Sequence, residues 1–274
     1  MRRRPQLIPW RAAGEVSERQ ATGDEVVRRM GWVFNNRRER DLTLEEFVST
    51  GDDEVPVYLS IFGLGSPDDA GRTIVEIGCG IGRMTCAFTR EFGAVIACDL
   101  DAGFLERCHE TVGRLGRPQR LTTLHVADGQ TLDLPPNSAD VAFSYITFQH
   151  CDPGDALALS SEAVRVTSPG GRIALNFRGR GGTDPVVLPV AAVVRTAFRV
   201  PKVGPWLAGR RFLARLGWQA NRLSPDDVIG PLSPLLRDVE VWRNPRGRAV
   251  GRGAETKTFE GINKHHYWVV ATVR

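Results

Sequence analysis

This chain of 274 residues predicts an α/β fold, a mostly parallel sheet with helices on both faces, and three observations predict it. Ile74-Val75-Glu76-Ile77 is a short apolar run of buried-strand type that breaks into Gly78-Cys79-Gly80-Ile81-Gly82 and resumes as a helix over residues 84–90. Apolar runs then recur at 94–99, 124–129 and 139–145, with room for a helix or loop between them. A helix over about 155–166 leads through the turn Pro169-Gly170-Gly171 into a fifth run, Arg172-Ile173-Ala174-Leu175. Strands alternating with helices in this way build parallel sheets, whose ligands sit outside the carboxyl ends of the strands.

The glycine turn carries the chemistry. Glycine at a bend lets backbone approach a ligand closely and takes dihedrals that other residues resist. The dinucleotide fingerprint Gly-x-Gly-x-x-Gly would place its third glycine at position 83, where this chain has Arg83, with glycine at 82 instead. The next run ends in Asp99, 21 residues beyond Gly78, where an acid can accept both hydroxyls of a ribose. Asp99 taken alone would also suit a cap for the helix that follows. The third run ends in Asp128-Gly129, which also reads as a plain turn.

Glu76-x-Gly78-x-Gly80-x-Gly82, followed in order by Asp99, Asp128 and the fourth and fifth runs, resembles the class I S-adenosylmethionine-dependent methyltransferases. The resemblance covers roughly residues 72–178 closely and the end of the chain more loosely. It implies a Rossmann-like sheet of seven strands with the last antiparallel, formed here by 267–273 after a sixth at 239–242. It implies S-adenosyl-L-methionine as the cofactor, held by Glu76, Gly78, Gly80, Gly82, Asp99, Leu100, Asp128, Gly129 and Tyr145, with Asp128 beside the adenine amino group.

Composition agrees with a globular enzyme: 42% apolar and 25% charged residues with a net charge of +4. The five cysteines, Cys79, Cys86, Cys98, Cys108 and Cys151, show no paired metal spacing and read as small apolar packing residues. That usage fits a reducing, cytoplasmic setting. Met1-Arg2-Arg3-Arg4 lacks the apolar run of a secretory signal, and no stretch reaches the roughly 20 apolar residues of a membrane span.

Residues 1–72 are expected to form a helical cap, with helices over 17–34 and 44–62, and residues 73–274 the methyltransferase domain. In the family such a cap often walls off the substrate; simple cover for one sheet face is the alternative. Residues of about 180–218 form an insertion between strands five and six, apolar but carrying Arg195, Arg199, Lys202, Arg210, Arg211 and Arg215. A lid over a hydrophobic acceptor, an interfacial helix, a dimer contact, or burial with arginine stems along the sheet edge all fit. Ser224-Pro225 should open the next helix as N-cap and first residue.

For methyl transfer a general base matters most when the acceptor is a hydroxyl. The candidate is His150 in Phe148-Gln149-His150, just past the fourth strand, with His265 or His266 the other choice; His109 and His125 look structural. Ser144-Tyr145-Ile146-Thr147 stands where amino-directed nucleic-acid methyltransferases carry Asp/Asn-Pro-Pro-Tyr, and no acid ends that strand for a catechol-type metal site. A small-molecule acceptor is expected, without nucleic acid or metal, methylated at oxygen with carbon or nitrogen open. A membrane-associated enzyme acting on a lipid or isoprenoid, and a cofactor-binding protein without turnover, are the alternatives; oligomeric state is not legible.

Overall fold

Strand β1 (Thr73–Ile77) takes the middle of the sheet's first five strands because Ile74, Val75 and Ile77 have apolar layers to bury into on both sides. The computed structural model describes residues 22–25, 27, 42–65, 69–198, 200, 202–208, 210–218 and 221–274. From β1 the chain winds outward through α2 (Thr85–Glu91), β2 (Ala94–Asp99), α3 (Ala102–Leu115) and β3 (Leu121–His125). It then returns across β1 to β4 (Ala139–Ser144), α4 (Pro153–Val166) and β5 (Thr167–Arg178). Five parallel strands in the order β3-β2-β1-β4-β5 result, so the chain reverses direction of winding between β1 and β4. Ligands of open α/β sheets bind at that switch point, beyond the strands' carboxyl ends.

After β5 come α5 (Asp184–Ala197), α6 (Val203–Ala208), α7 (Arg211–Trp218) and α8 (Pro225–Leu232), then β6 (Leu236–Arg243), β7 (Glu255–Thr258) and β8 (His266–Val273). β8 inserts between β5 and β6, antiparallel to both, as expected. The strand count differs from the expected seven: β7 is an eighth, pairing parallel to β6 at the sheet edge. Its residues are Glu255, Thr256, Lys257 and Thr258, so no apolar alternation marks it. The Lys257 ammonium donates to Glu240 on β6 at 2.6 Å across that edge.

Helix α1 (Leu44–Ile61) begins where Thr43 and Glu46 form a capping box: Thr43 Oγ1 accepts from the Glu46 N–H, and Glu46 Oε2 from the Thr43 N–H. It covers one face, burying Val55, Tyr58 and Leu59 with Phe88, Phe143 and Trp268. The opposite face packs α4 and α8 through Ala156, Leu159, Val228 and Leu232. The helix expected over 17–34 lies mostly outside the described residues, although Gly23, Asp24 and Glu25 are helical. Ser224 is the N-cap of α8 with Pro225 first, as the sequence predicts. Among the described residues no helix is long and apolar enough to cross a membrane.

Candidate active site

The turn after β1 holds its three glycines in the left-handed region, with φ of +82° at Gly78, +55° at Gly80 and +94° at Gly82. The Gly78 and Cys79 N–H groups donate to Cys98 O at 2.7 and 3.0 Å, stitching the turn to β2. One residue on, the Gly80 N–H donates to Asp99 Oδ2 at 2.9 Å. Glycine loop and acid, 19 residues apart, are thus in direct contact. The other carboxylate oxygen accepts from the Asp101 N–H at 2.9 Å, and Asp101 itself caps α3 by accepting from the Gly103 N–H. Asp99 is therefore not the helix cap; it stands at the strand tip, half-buried, with lone pairs left on both oxygens. Burial pushes its carboxyl up to about 6, against the opposing backbone donors from Asp101 and Gly80.

Glu76 lies beneath the loop rather than on it. It is buried, accepts from Thr85 Oγ1 at 2.6 Å, and is pushed up to about 7 by burial, opposed by Thr85 and Arg83. Its bond to the first residue of α2 ties strand to helix across the loop. The β3 tip joins the same edge: the Val126 N–H donates to Asp99 O, and His125 Nε2 lies 3.1 Å from Leu100 O. Asp128 follows at the surface, where Oδ1 accepts from the Gln130 and Thr131 N–H groups and Gly129 takes φ +69°. Burial raises the Asp128 carboxyl, but these donors outweigh it and hold it below the usual range. The turn reading of Asp128 is met.

Beyond β4, Thr147 packs against the glycine turn and its Oγ1 lies 3.2 Å from Ile77 O and 3.1 Å from Tyr145 O. Tyr145 stacks on Trp268 with ring centroids 5.3 Å apart, and the Arg83 guanidinium sits over its outer face at 5.5 Å. Arg83 also donates to Glu54 and to Thr50 on α1 at 3.2 Å. One side chain joins the glycine turn, α1 and the aromatic wall. That wall belongs to a cavity of about 320 Å³ lined by Tyr58, Tyr145, Asn176, Asn263, His266 and Trp268 among others.

His150 sits on a short 3₁₀ turn (Phe148–His150) following Thr147. Gln149 Nε2 donates to His150 Nε2 at 3.2 Å, so that nitrogen is engaged by its neighbour. His266 is better defined. Asn176 Nδ2 donates to Tyr267 O at 3.2 Å, and Asn176 Oδ1 accepts from the Ile146 N–H at 3.3 Å. The oxygen is thereby assigned, so His266 Nδ1, 3.1 Å from it, carries the proton and Nε2 is an acceptor. Burial, then Arg178, His150 and neighbouring cations push the imidazolium down to about 3, so the ring is neutral at any ordinary pH. His265 is lowered also, first by burial and then by Arg178 and Lys264.

Sequence reasoning located the loop and the acids but missed Tyr58, Asn176, Trp268 and the bridging role of Arg83. Only a register signal existed: Asn176 and Trp268 are directly paired across β5 and β8, each set in an apolar strand. All five cysteines are buried thiols, and burial raises those of Cys79, Cys86 and Cys98, as packing residues should behave.

Residues 75–175 match the family described as "Methyltransferase domain". Over that segment the chain carries a methyltransferase domain. Two curated relatives are phosphoethanolamine N-methyltransferase 1 of Triticum aestivum, 28% identical over 54% of this chain, and malonyl-[acyl-carrier protein] O-methyltransferase of Yersinia pestis, 34% identical over 42%. The matches span only 30% and 39% of those relatives' own lengths. A possible exported protein from Bordetella parapertussis shares the fold at 16% identity, with a TM-score of 0.53 over 97% of this chain and 79% of that one. The domain's matched segment starts within β1 and ends at Leu175 in β5, so it includes the glycine turn, Asp99, Asp128, Tyr145 and His150 but neither α1 nor His266.

Proposed function

We propose that the chain transfers the methyl group of S-adenosyl-L-methionine to a small-molecule acceptor, at oxygen. The observation that carries this reading is the Gly80 N–H donating to Asp99 beside three left-handed glycines, with an aromatic cavity whose wall residue Tyr145 is covered by Arg83 of the same turn. The residues fit the cofactor. Gly78, Gly80 and Gly82 offer bare backbone to its methionyl and adenosyl parts, with Glu76 bracing the turn from below. The open lone pairs of Asp99 suit ribose hydroxyls. Leu100, Asp128 and Gly129 flank the adenine, and Tyr145 lies toward the methyl-donor end. The cofactor supplies a methyl group already activated by its sulfonium.

The chain's own work is alignment, which can supply about 7–11 kcal/mol through proximity. A general base adds typically ~10²–10⁴-fold for a hydroxyl acceptor. His150 is the base we assign, on the loop that also carries Thr147 against the glycine turn, its Nε2 exchanging the Gln149 amide for the acceptor hydroxyl. His266, neutral and with Nε2 as acceptor, orients the same hydroxyl from the cavity wall. The relatives' names include one oxygen and one nitrogen methyltransferase, so the acceptor atom is tested directly. Helix α1 is assigned to walling the acceptor, since it already reaches the glycine turn through Glu54 and Arg83. The buried free thiols support a reducing, cytoplasmic setting.

Isothermal titration with S-adenosylmethionine should give heat and a raised melting temperature; neither at millimolar ligand would defeat the proposal. Mass spectrometry with a deuterated methyl donor and an acceptor panel then reads the methylated atom. A product labelled on nitrogen or carbon alone refutes the oxygen assignment while leaving the cofactor reading intact.

A further inference from the structure

The segment after β5 carries an exposed apolar surface outside the lining of the cavity described above. Seven of the ten exposed large apolar side chains among the described residues fall between 186 and 212. On α5, Val186, Val190 and Val193 share one face by their four- and three-residue spacing, and Val186 and Val193 are 72% and 70% exposed. Every exposed position from 185 to 193 is proline, valine or alanine. A helix that faces water ordinarily places charge on that side. Trp206 on α6, 56% exposed, and Phe212 on α7, 75% exposed, extend the same chemistry.

The back of this segment is packed, so its outward face is not a by-product of looseness. Phe198 is buried against Gly217, where an added Cβ would lie 1.9 Å from the Phe198 ring. Arg195 donates to Gly217 O and to Asp152 at 3.3 Å, fixing α5 to α7 and to the start of α4.

Charge decides what the face meets. Beyond the Arg195–Asp152 pair, residues 184–218 hold Arg199, Lys202, Arg210, Arg211 and Arg215 against one acid, Asp184, which is buried and paired with Arg222. Lys202 and Arg210 are exposed, and the Arg210 guanidinium lies over the Trp206 ring at 4.3 Å. A second copy of the chain would bring this cationic face against itself in a two-fold contact, with no acids there to balance it. A bilayer with anionic headgroups offers both missing partners, acyl chains for the valines and phosphates for the cations, with tryptophan and arginine at the boundary between them.

We propose that α5–α7 is a peripheral docking surface for anionic membranes. It buries the Val186–Val190–Val193 face and Phe212 at the level of the acyl chains, with Lys202 and Arg210 on the headgroups. It does not depend on the methyl acceptor and stands whether or not transfer is to oxygen.

The test is flotation of the full chain with phosphatidylcholine vesicles, with and without about one-third phosphatidylglycerol. Binding to the anionic vesicles should exceed binding to the neutral ones at least tenfold and should fall sharply near 1 M salt, where screening acts within about 3 Å. The double variant V190D/V193D should lose it with unchanged melting temperature, and so should K202E/R210E. Tryptophan emission should shift to the blue on adding anionic vesicles, and Trp206→Phe should remove most of that shift, a readout independent of how the charged variants fold. No flotation with anionic vesicles, equal flotation with both kinds, or a vesicle-free dimer that V190D/V193D dissociates would each overturn the proposal, the last in favour of a second copy.

Discussion

Replacing Gly78 with alanine tests the geometry of the glycine turn at its tightest point. A Cβ there would lie 2.1 Å from Thr147 Oγ1, 2.3 Å from its Cγ2 and 2.7 Å from its Cβ, at a φ of +82°. The left-handed conformation costs alanine about 1–2 kcal/mol. The clash forces Thr147 away, and with it the hydroxyl that reaches Tyr145 O, while Ile77 O keeps Ser144 Oγ; a buried carbonyl that loses its donor costs about 1–3 kcal/mol. Gly78→Ala should therefore destabilise by about 2–5 kcal/mol. The two causes separate in a double-mutant cycle with Thr147→Gly, which removes all three clashing atoms while leaving the dihedral strain. Residues in contact show interaction energies of about 0.5–3 kcal/mol in such cycles. Here the double variant should be more stable than the sum of the singles by at least ~1 kcal/mol. Urea denaturation reads this as midpoint shifts at constant slope. Single effects that simply add, or a Gly78→Ala cost under ~1 kcal/mol, would show that the turn does not pack on Thr147 as described.

Asp99, raised to about 6 by burial, must be ionised to accept ribose hydroxyls, so titration calorimetry should find S-adenosylmethionine binding weakening through pH 6, about tenfold by pH 5. Asp99→Ala should weaken it at least tenfold at pH 8, and equal affinity would remove Asp99 from the site. Glu76 rises from 4.5 to about 7 in the folded state, so it contributes stability below pH 4.5 that is lost as pH climbs through 7. That is on the order of 3 kcal/mol at 1.36 kcal/mol per unit, and denaturation of Glu76→Gln from pH 4 to 8 should lack this fall. Arg222 and Asp184 form a buried pair at 3.4 Å, so Arg222→Met should cost about 3–5 kcal/mol and R222M/D184N less, measured by thermal melting. Nitrogen-15 spectra should show His266 neutral with its proton on Nδ1 from pH 5 to 8; a titrating ring would contradict the Asn176 contact.

What the sequence made legible was local. Strand β1, the turn and α2 follow from consecutive residues, and the capped start of α8 follows from Ser224-Pro225. The acid at Asp99 was legible by spacing, though its contact with Gly80 was not. What stayed hidden depends on chain segments far apart. Asn176 and Trp268 face each other only because β8 runs antiparallel between β5 and β6, which brings residues about 90 apart into register. β7 escaped because an edge strand needs no apolar face, and Glu255 to Thr258 has none.

Arg83 shows how a motif mismatch carries positive information. Read against the dinucleotide fingerprint, position 83 says only that the third glycine is missing. In the folded chain Gly82 comes against the backbone of Cys108 on α3, 3.3 Å from where a Cβ would be, so the close approach is made one residue early. That leaves position 83 free for a long side chain, and the chain uses it to reach Glu54, Thr50 and the face of Tyr145 together. Gly51 on α1 in turn lets the helix come down on Arg83 O, where a Cβ would lie at 2.2 Å. A glycine at 83 would leave that backbone contact in place but remove the side chain that ties Glu54, Thr50 and Tyr145 to the turn. The one-residue shift that separates the two nucleotide motifs is thus also what couples this glycine turn to the cavity wall.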